Sequence, residues 1–168
     1  EVLPLNEDGS ANIIIEVPAG CRDKWVVSKD GKLIWPKTKG NYHMTQYLPY
    51  LINYGSIPGT FLSDHDDGEG EEIDAILLGK SIPRGSIITA HVIGILNVID
   101  KGKRDDKIIA IVNDDNENNY FNPITSIEEL EKNGVIKILT TWFENYKGTN
   151  RLKVIGHKNR REALNYIS

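Results

Sequence analysis

Six short runs of aliphatic and β-branched residues, separated by turns, constrain what this chain can fold into more than any other feature. They are residues 12–18 (NIIIEVP), 24–28 (KWVVS), 32–35 (KLIW), 75–79 (AILLG), 86–99 (SIITAHVIGILNVI) and 106–112 (DKIIAIV). Between them stand KDGK, SIPRGS and DKGKRDD, rich in the Gly, Pro and Asp that punctuate strands. A parallel α/β sheet needs a crossover helix between its strands, and helical signals in this chain come late. The pattern therefore predicts a closed or nearly closed β-barrel.

The late helical signals are specific. Ser126 precedes an apolar-periodic run and Glu129 follows three residues on, the spacing of a capping box. Ile136, Leu139, Phe143 and Tyr146 recur at helical intervals, which predicts an amphipathic helix over residues 135–146 packed on the barrel. Residues 159–167 (NRREALNYI) supply a third, shorter helical segment.

A length of 168 residues with 39% hydrophobic content suits one compact domain spanning residues 1–168. The formal net charge of -4 provides no basic field, so neither nucleic acid nor a membrane surface is an expected partner. Cys21 is the single cysteine, which rules out an intrachain disulfide, and the four scattered histidines make no zinc framework. No apolar stretch approaches the roughly 20 residues of a membrane helix, so a soluble protein is expected. Because the sequence opens with Glu1 rather than Met, an exported mature form stays open beside a trimmed sequence.

Chemistry concentrates at strand ends. EGEEID, residues 69–74, places four carboxylates in six positions immediately before the apolar run AILL. Like charges this close raise the cost of ionising one another. The segment is either a solvated acidic loop or a site for a hard cation, which takes oxygen ligands. Asp100 and Asp105 flank a second turn, with Lys107 two residues further on. Neighbouring barrel strands that brought both turns to one rim would gather enough carboxylates for two divalent ions about 4 Å apart. Lys24, Tyr50, Tyr54, Tyr146 and Lys147 add ammonium and phenol donors near turns, suited to phosphate oxygens, although each alone is equally a packing or solvated residue.

Together these segments resemble the soluble, magnesium-dependent inorganic pyrophosphatases. IIIEVPAGCRDKW is similar to that family's opening strand and lysine loop, and YLPYLINYGSIPGT to its tyrosine-rich segment. EGEEIDAILL resembles the signature D-G-D-P-x-D with its following strand, while residues 86–112 and WFENYKG match further segments in the right order. The resemblance spans roughly residues 12–165. It implies an α+β, mainly β fold: a five-stranded OB-like closed β-barrel with two or three flanking α-helices. It also implies hydrolysis of inorganic pyrophosphate in a cytoplasmic homo-oligomer, with Mg²⁺ as cofactor and Mn²⁺ as a possible substitute. Residue by residue, it casts Glu69, Asp74, Asp100 and Asp105 as metal ligands, Glu16 as an acid behind them, and Glu71 as the acceptor of a proton from the attacking water. Lys24, Tyr54, Lys107, Tyr146 and Lys147 fall on phosphate-contacting positions, and Tyr50 on a further tyrosine of the pattern.

The chain departs from the pattern at several points. Glu69 and Glu71 stand where aspartates are usual, and Glu72 replaces the motif proline. One added methylene moves a carboxylate by more than about 1 Å, a displacement that can cost on the order of a hundredfold in rate unless the backbone retreats. SDHDDG, just upstream, is where such a shift would arise. Val26 stands where an acid is usual, and Lys101 replaces an acid beside Asp100. The arginine expected before the tyrosine segment has no counterpart, its neighbourhood holding Tyr42 and His43, with Lys37 and Lys39 as nearby cations. A degenerate module that binds metal, phosphate or a protein partner without turnover is thus the alternative to an enzyme. A nucleic-acid-binding barrel is a third reading, opposed by the acidic rim.

Overall fold

The computed structural model describes residues 2–60, 71–112, 121 and 123–168. Its elements in chain order are β1 (Ala11–Val17), β2 (Val26–Val27), β3 (Leu33–Ile34), β4 (Lys37–Thr38), β5 (Asn41–Tyr42), β6 (Asn53–Ser56), β7 (Asp74–Leu78), β8 (Ile87–Asp100), β9 (Lys103–Arg104), β10 (Lys107–Val112), α1 (Ile127–Lys132), α2 (Val135–Asn145), β11 (Leu152–Asn159) and α3 (Arg160–Ile167).

The long strand β8 closes the sheet. Its first residues pair with β1, its middle with β10 and its end with β11. β1 pairs in turn with β6, β6 with β7, and β7 with β10, so β1, β6, β7, β10 and β8 form a ring of five strands. All ring pairings are antiparallel except that of β7 with β10. β11 adds to β8 outside the ring. The expected mainly β barrel with helices at the C-terminal end is therefore present. The runs 24–28 and 32–35 do not enter it: they shrink to the two-residue pair β2–β3, next to a second small pair, β4–β5.

Both faces of the sheet are buried, which is why its strands read as continuous apolar runs. Ile76 and Leu78 of β7, with Ile109 and Ile111 of β10, pack with Leu130 of α1 and Ile136, Leu139 and Phe143 of α2. Ala75, Leu77, Ile108 and Ala110, one residue out of phase, pack with Ile13 and Ile15 of β1 and with Ala163 and Ile167 of α3. Helix α1 starts as expected: Ser126 Oγ accepts from the Glu129 N–H at 3.4 Å, and Glu129 Oε1 accepts back from Ser126 Oγ at 3.2 Å. Such caps stabilise a helix by about 1 kcal/mol.

Two local devices shape the strand ends that matter for chemistry. Gly55 of β6 lies so close to β1 that a Cβ there would meet the Ile14 carbonyl oxygen at 1.9 Å. The β1–β6 register slips between Ile15 and Val17, placing Glu16 in a bulge, and bulges re-aim side chains. At the end of β8, Lys101 (φ 51) and Gly102 (φ 79) make a tight hairpin with two left-handed central residues. That turn sends the chain straight into β9 and holds Asp100 opposite Lys103.

Candidate active site

Strand parity assembles the site. Asp74 shares its face of β7 with Ile76 and Leu78, and Lys107 shares its face of β10 with Ile109 and Ile111, so both point to the side covered by α2. Tyr54 of β6 is buried on that same side, and Tyr146 caps the C-terminal end of α2 above it. A hollow of about 390 Å³ opens there. It is lined by Glu16, Lys24, Tyr54, Glu71, Asp74, Asp100, Asp105, Lys107, Tyr146 and Lys147, with Tyr50. Every site residue expected from the sequence is therefore brought to one place, except Glu69, which lies outside the described residues with SDHDDG and His65.

Charge in the hollow is paired across strands. Lys107 Nζ stands 2.8 Å from Asp74 Oδ2 and 3.0 Å from Asp105 Oδ1. Lys147 Nζ donates to Asp100 Oδ2 at 3.3 Å. Burial disfavours the Lys107 ammonium, yet Asp74 and Asp105 outweigh it and hold the group protonated well above the usual lysine range. Burial likewise opposes ionisation of Asp74, but Lys107 keeps its carboxyl below the usual value. Asp105 goes the other way, raised by burial and by the Asp74 charge beside it.

Two further groups are shifted to near neutrality. Burial, followed by the Asp74 charge, pushes the Glu16 carboxyl up to about 8, although its Oε2 accepts from the Val27 N–H at 2.7 Å. Burial, followed by the Lys147 and Lys107 charges, brings Lys24 down to about 8. The phenols of Tyr50, Tyr54 and Tyr146 are all raised, chiefly by burial, so they stay protonated as donors. Their rings are fixed by packing: Tyr50 meets Tyr54, Trp142 and Tyr146 edge-on at 5.3, 5.1 and 5.8 Å.

Several supporting contacts have no local signature in the sequence. Arg84 donates from Nε to the Glu16 carbonyl at 2.9 Å and from Nη2 to the Asp23 carbonyl at 3.0 Å, tying the bulge of β1 to the lysine loop. The His43 carbonyl accepts from the Lys24 N–H at 2.9 Å and from Trp35 Nε1 at 2.8 Å. Glu72, in place of the motif proline, accepts from Ser56 Oγ at 3.2 Å and from the Gly59 N–H at 3.1 Å. Glu72 thus ties the segment next to Glu71 to the end of β6 and the turn after it. Trp25, Trp35 and Tyr42 stack in sequence, with centroids 5.7 and 4.1 Å apart, and Cys21 is a half-buried free thiol packed against the core.

The donor set suits a hard divalent cation: its acids offer carboxylate oxygens, and Asp100 Oδ1 is buried and lacks a hydrogen-bond partner. Among the described residues no three acidic, histidine or cysteine side chains already stand together in ligating geometry. Lysines counter the carboxylates instead.

A profile for the inorganic pyrophosphatase family matches residues 13–168. The chain is 34% identical over 161 residues to an inorganic pyrophosphatase of Homo sapiens, covering 86% of this chain and 55% of that one. It is 28% identical over 171 residues to a soluble inorganic pyrophosphatase of Zea mays, covering 98% and 74%. It thus spans about half the length of the human relative. Among solved structures it resembles the N-terminally truncated vacuolar soluble pyrophosphatase of Trypanosoma cruzi, in complex with PPi. That likeness has a TM-score of 0.84 at 26% identity, covering 98% of this chain and 67% of that one.

Proposed function

Since the chain belongs to the inorganic pyrophosphatase family, we propose that it hydrolyses inorganic pyrophosphate to two orthophosphates by attack of a metal-activated water. The observation that carries this reading is the convergence of acids, lysines and phenols from β1, β6, β7, β8, β10 and the end of α2 on one hollow. Pyrophosphate is highly charged, so its hydrolysis needs cations around the phosphates and a base beside the water. Both kinds of group line the hollow.

Asp74, Asp100 and Asp105, with Glu69, are the residues to hold divalent cations, with Glu16 behind them. Mg²⁺ is the cation assigned, with Mn²⁺ as substitute. What such a cation supplies when bound is neutralising charge and a lowered pKa for the attacking water. Glu71 takes the proton from that water. Lys107, kept protonated by its two aspartates, and Lys24 and Lys147 donate to phosphate oxygens. Tyr54 and Tyr146 donate hydroxyl protons to the same oxygens, and their raised phenols keep those protons in place. Donors already aimed at the leaving phosphate commonly supply the largest share of such a rate enhancement. Residues 1–168 act as one domain in this reading, and assembly as a homo-oligomer in the cytoplasm belongs to it.

Phosphorus NMR of a reaction mixture tests the proposal. Loss of the pyrophosphate signal in Mg²⁺, with orthophosphate appearing at two per pyrophosphate and nothing in excess chelator, is the expected result. A pyrophosphate signal that persists in Mg²⁺ contradicts it.

A further inference from the structure

The guanidinium missing from the segment before the tyrosines has another source in the fold. Tyr42 and His43 occupy that segment, and Lys37 is drawn onto the Tyr42 ring, 4.4 Å from its centroid. Neither Lys37 nor Lys39 lines the hollow described above. Arg151 comes after the turn that follows α2. The Arg151 N–H donates to the Gly148 carbonyl at 3.2 Å, and the next residue, Leu152, is the direct partner of Asp100 across β11 and β8. That register sets Arg151 beside the acidic end of β8.

Its side chain, 39% exposed, places Nε 3.6 Å from Asp100 Oδ1, while Lys147 holds Oδ2 of the same carboxylate. Arg151 also lines a second hollow of about 420 Å³. Lys24, His43, Tyr146 and Lys147 line both hollows and so form their common wall. Among the described residues, Arg151 is the guanidinium that lines either one. A planar, permanently charged fork, held by a contact longer than a charge-assisted hydrogen bond and with an open space before it, is suited to bidentate capture of a phosphate.

We propose that Arg151 is a phosphate-binding residue of this site, its guanidinium exchanging Asp100 for the oxygens of the outer phosphate when pyrophosphate is bound. The inference rests on the pyrophosphatase reading for its ligand. It also has a consequence of opposite sign for metal. Arg151 competes with a cation for Asp100 while no phosphate is present, so its removal weakens phosphate binding and does not weaken metal binding. A residue that merely held the turn together would weaken both.

Calorimetric titrations of the full chain test this, with Mn²⁺ alone and then with imidodiphosphate, a non-hydrolysable analogue of pyrophosphate, in saturating Mn²⁺. Arg151→Ala is expected to raise the imidodiphosphate dissociation constant about tenfold, the scale of one charge-assisted contact, with Arg151→Lys recovering part of it. Its Mn²⁺ affinity is expected to equal or exceed that of the wild type, and KM for pyrophosphate to rise more than kcat falls. An imidodiphosphate constant within about twofold of wild type in Arg151→Ala, or a parallel loss of Mn²⁺ affinity, would overturn the inference. Wild-type protein that binds imidodiphosphate through Arg151 yet releases no phosphate overturns the hydrolase reading and leaves this inference standing. Wild-type protein that binds none overturns both.

Discussion

Lys107 Nζ lies 2.8 Å from Asp74 Oδ2, and the two residues face each other directly in the parallel pairing of β7 with β10. Lys107 is 1% exposed, and Asp105 approaches the same nitrogen at 3.0 Å. Removing the ammonium leaves two neighbouring carboxylates without their common counter-charge. Lys107→Met is therefore expected to destabilise the protein in chelator by about 3–5 kcal/mol, the scale of a broken buried pair. Millimolar Mg²⁺ should return part of that loss. Thermal melts in chelator and in Mg²⁺ measure both, and equal melting temperatures for variant and wild type in chelator would contradict the pairing.

Glu16 makes the metal-free protein sensitive to pH. Its carboxyl is raised from 4.5 to about 8, so between those values the folded chain holds a proton that the unfolded chain has released. Stability from this group is complete below pH 4.5 and is lost as pH rises through 8, at up to about 1.4 kcal/mol per pH unit. Urea melts in chelator from pH 5 to 8 should show the decline, and Glu16→Gln should flatten it. A slope unchanged by the substitution would assign the effect elsewhere.

Lys24, as a proposed phosphate contact, sets a limit on substrate binding on the same alkaline side. Lowered to about 8 by burial and by two neighbouring lysines, it loses its charge as pH climbs past that value. KM for pyrophosphate should rise on that limb, and Lys24→Arg, which stays charged, should remove the rise while slowing turnover through its altered reach. Identical pH profiles for the two proteins would exclude Lys24 as the titrating contact.

Glu72 fixes the backbone beside Glu71 through Ser56 Oγ and the Gly59 N–H. Glu72→Ala removes both bonds and should cost about 1–3 kcal/mol of stability and roughly tenfold in kcat, with KM changed less. Glu72→Gln keeps an acceptor and should recover most of both. An alanine variant with wild-type kcat would separate Glu72 from the placement of Glu71.

How far the sequence discloses this structure depends on where the deciding contacts lie. Strands β1, β7, β8 and β10 are legible because both sheet faces are largely buried and their residues are mostly apolar, with the charged residues Glu16, Asp74, Asp100 and Lys107 at or near strand ends. Strand β6 is hidden in the four residues NYGS, where a glycine disfavoured in strands is demanded by the approach of β1. β11 is hidden as well: LKVIGHKN alternates irregularly, its register slips between Val154 and Gly156, and it lies outside the ring. Residues 24–28 mislead in the other direction, since KWVVS has strand composition but serves a loop that Arg84 and His43 hold in place. The acids and lysines of the hollow are legible through motif order. The roles of Glu72, Arg84 and Arg151 are not, because each depends on a partner more than ten residues away in sequence.

The most direct test of the account is phosphate release from inorganic pyrophosphate by the purified chain, in Mg²⁺, in Mn²⁺ and in chelator, beside Asp74→Asn. Release that requires the metal and falls at least about a hundredfold in the variant is the predicted result, since Asp74 counters Lys107 and is one of the acids proposed above to hold the metal. Wild-type protein that releases no more phosphate than Asp74→Asn in either metal would contradict it.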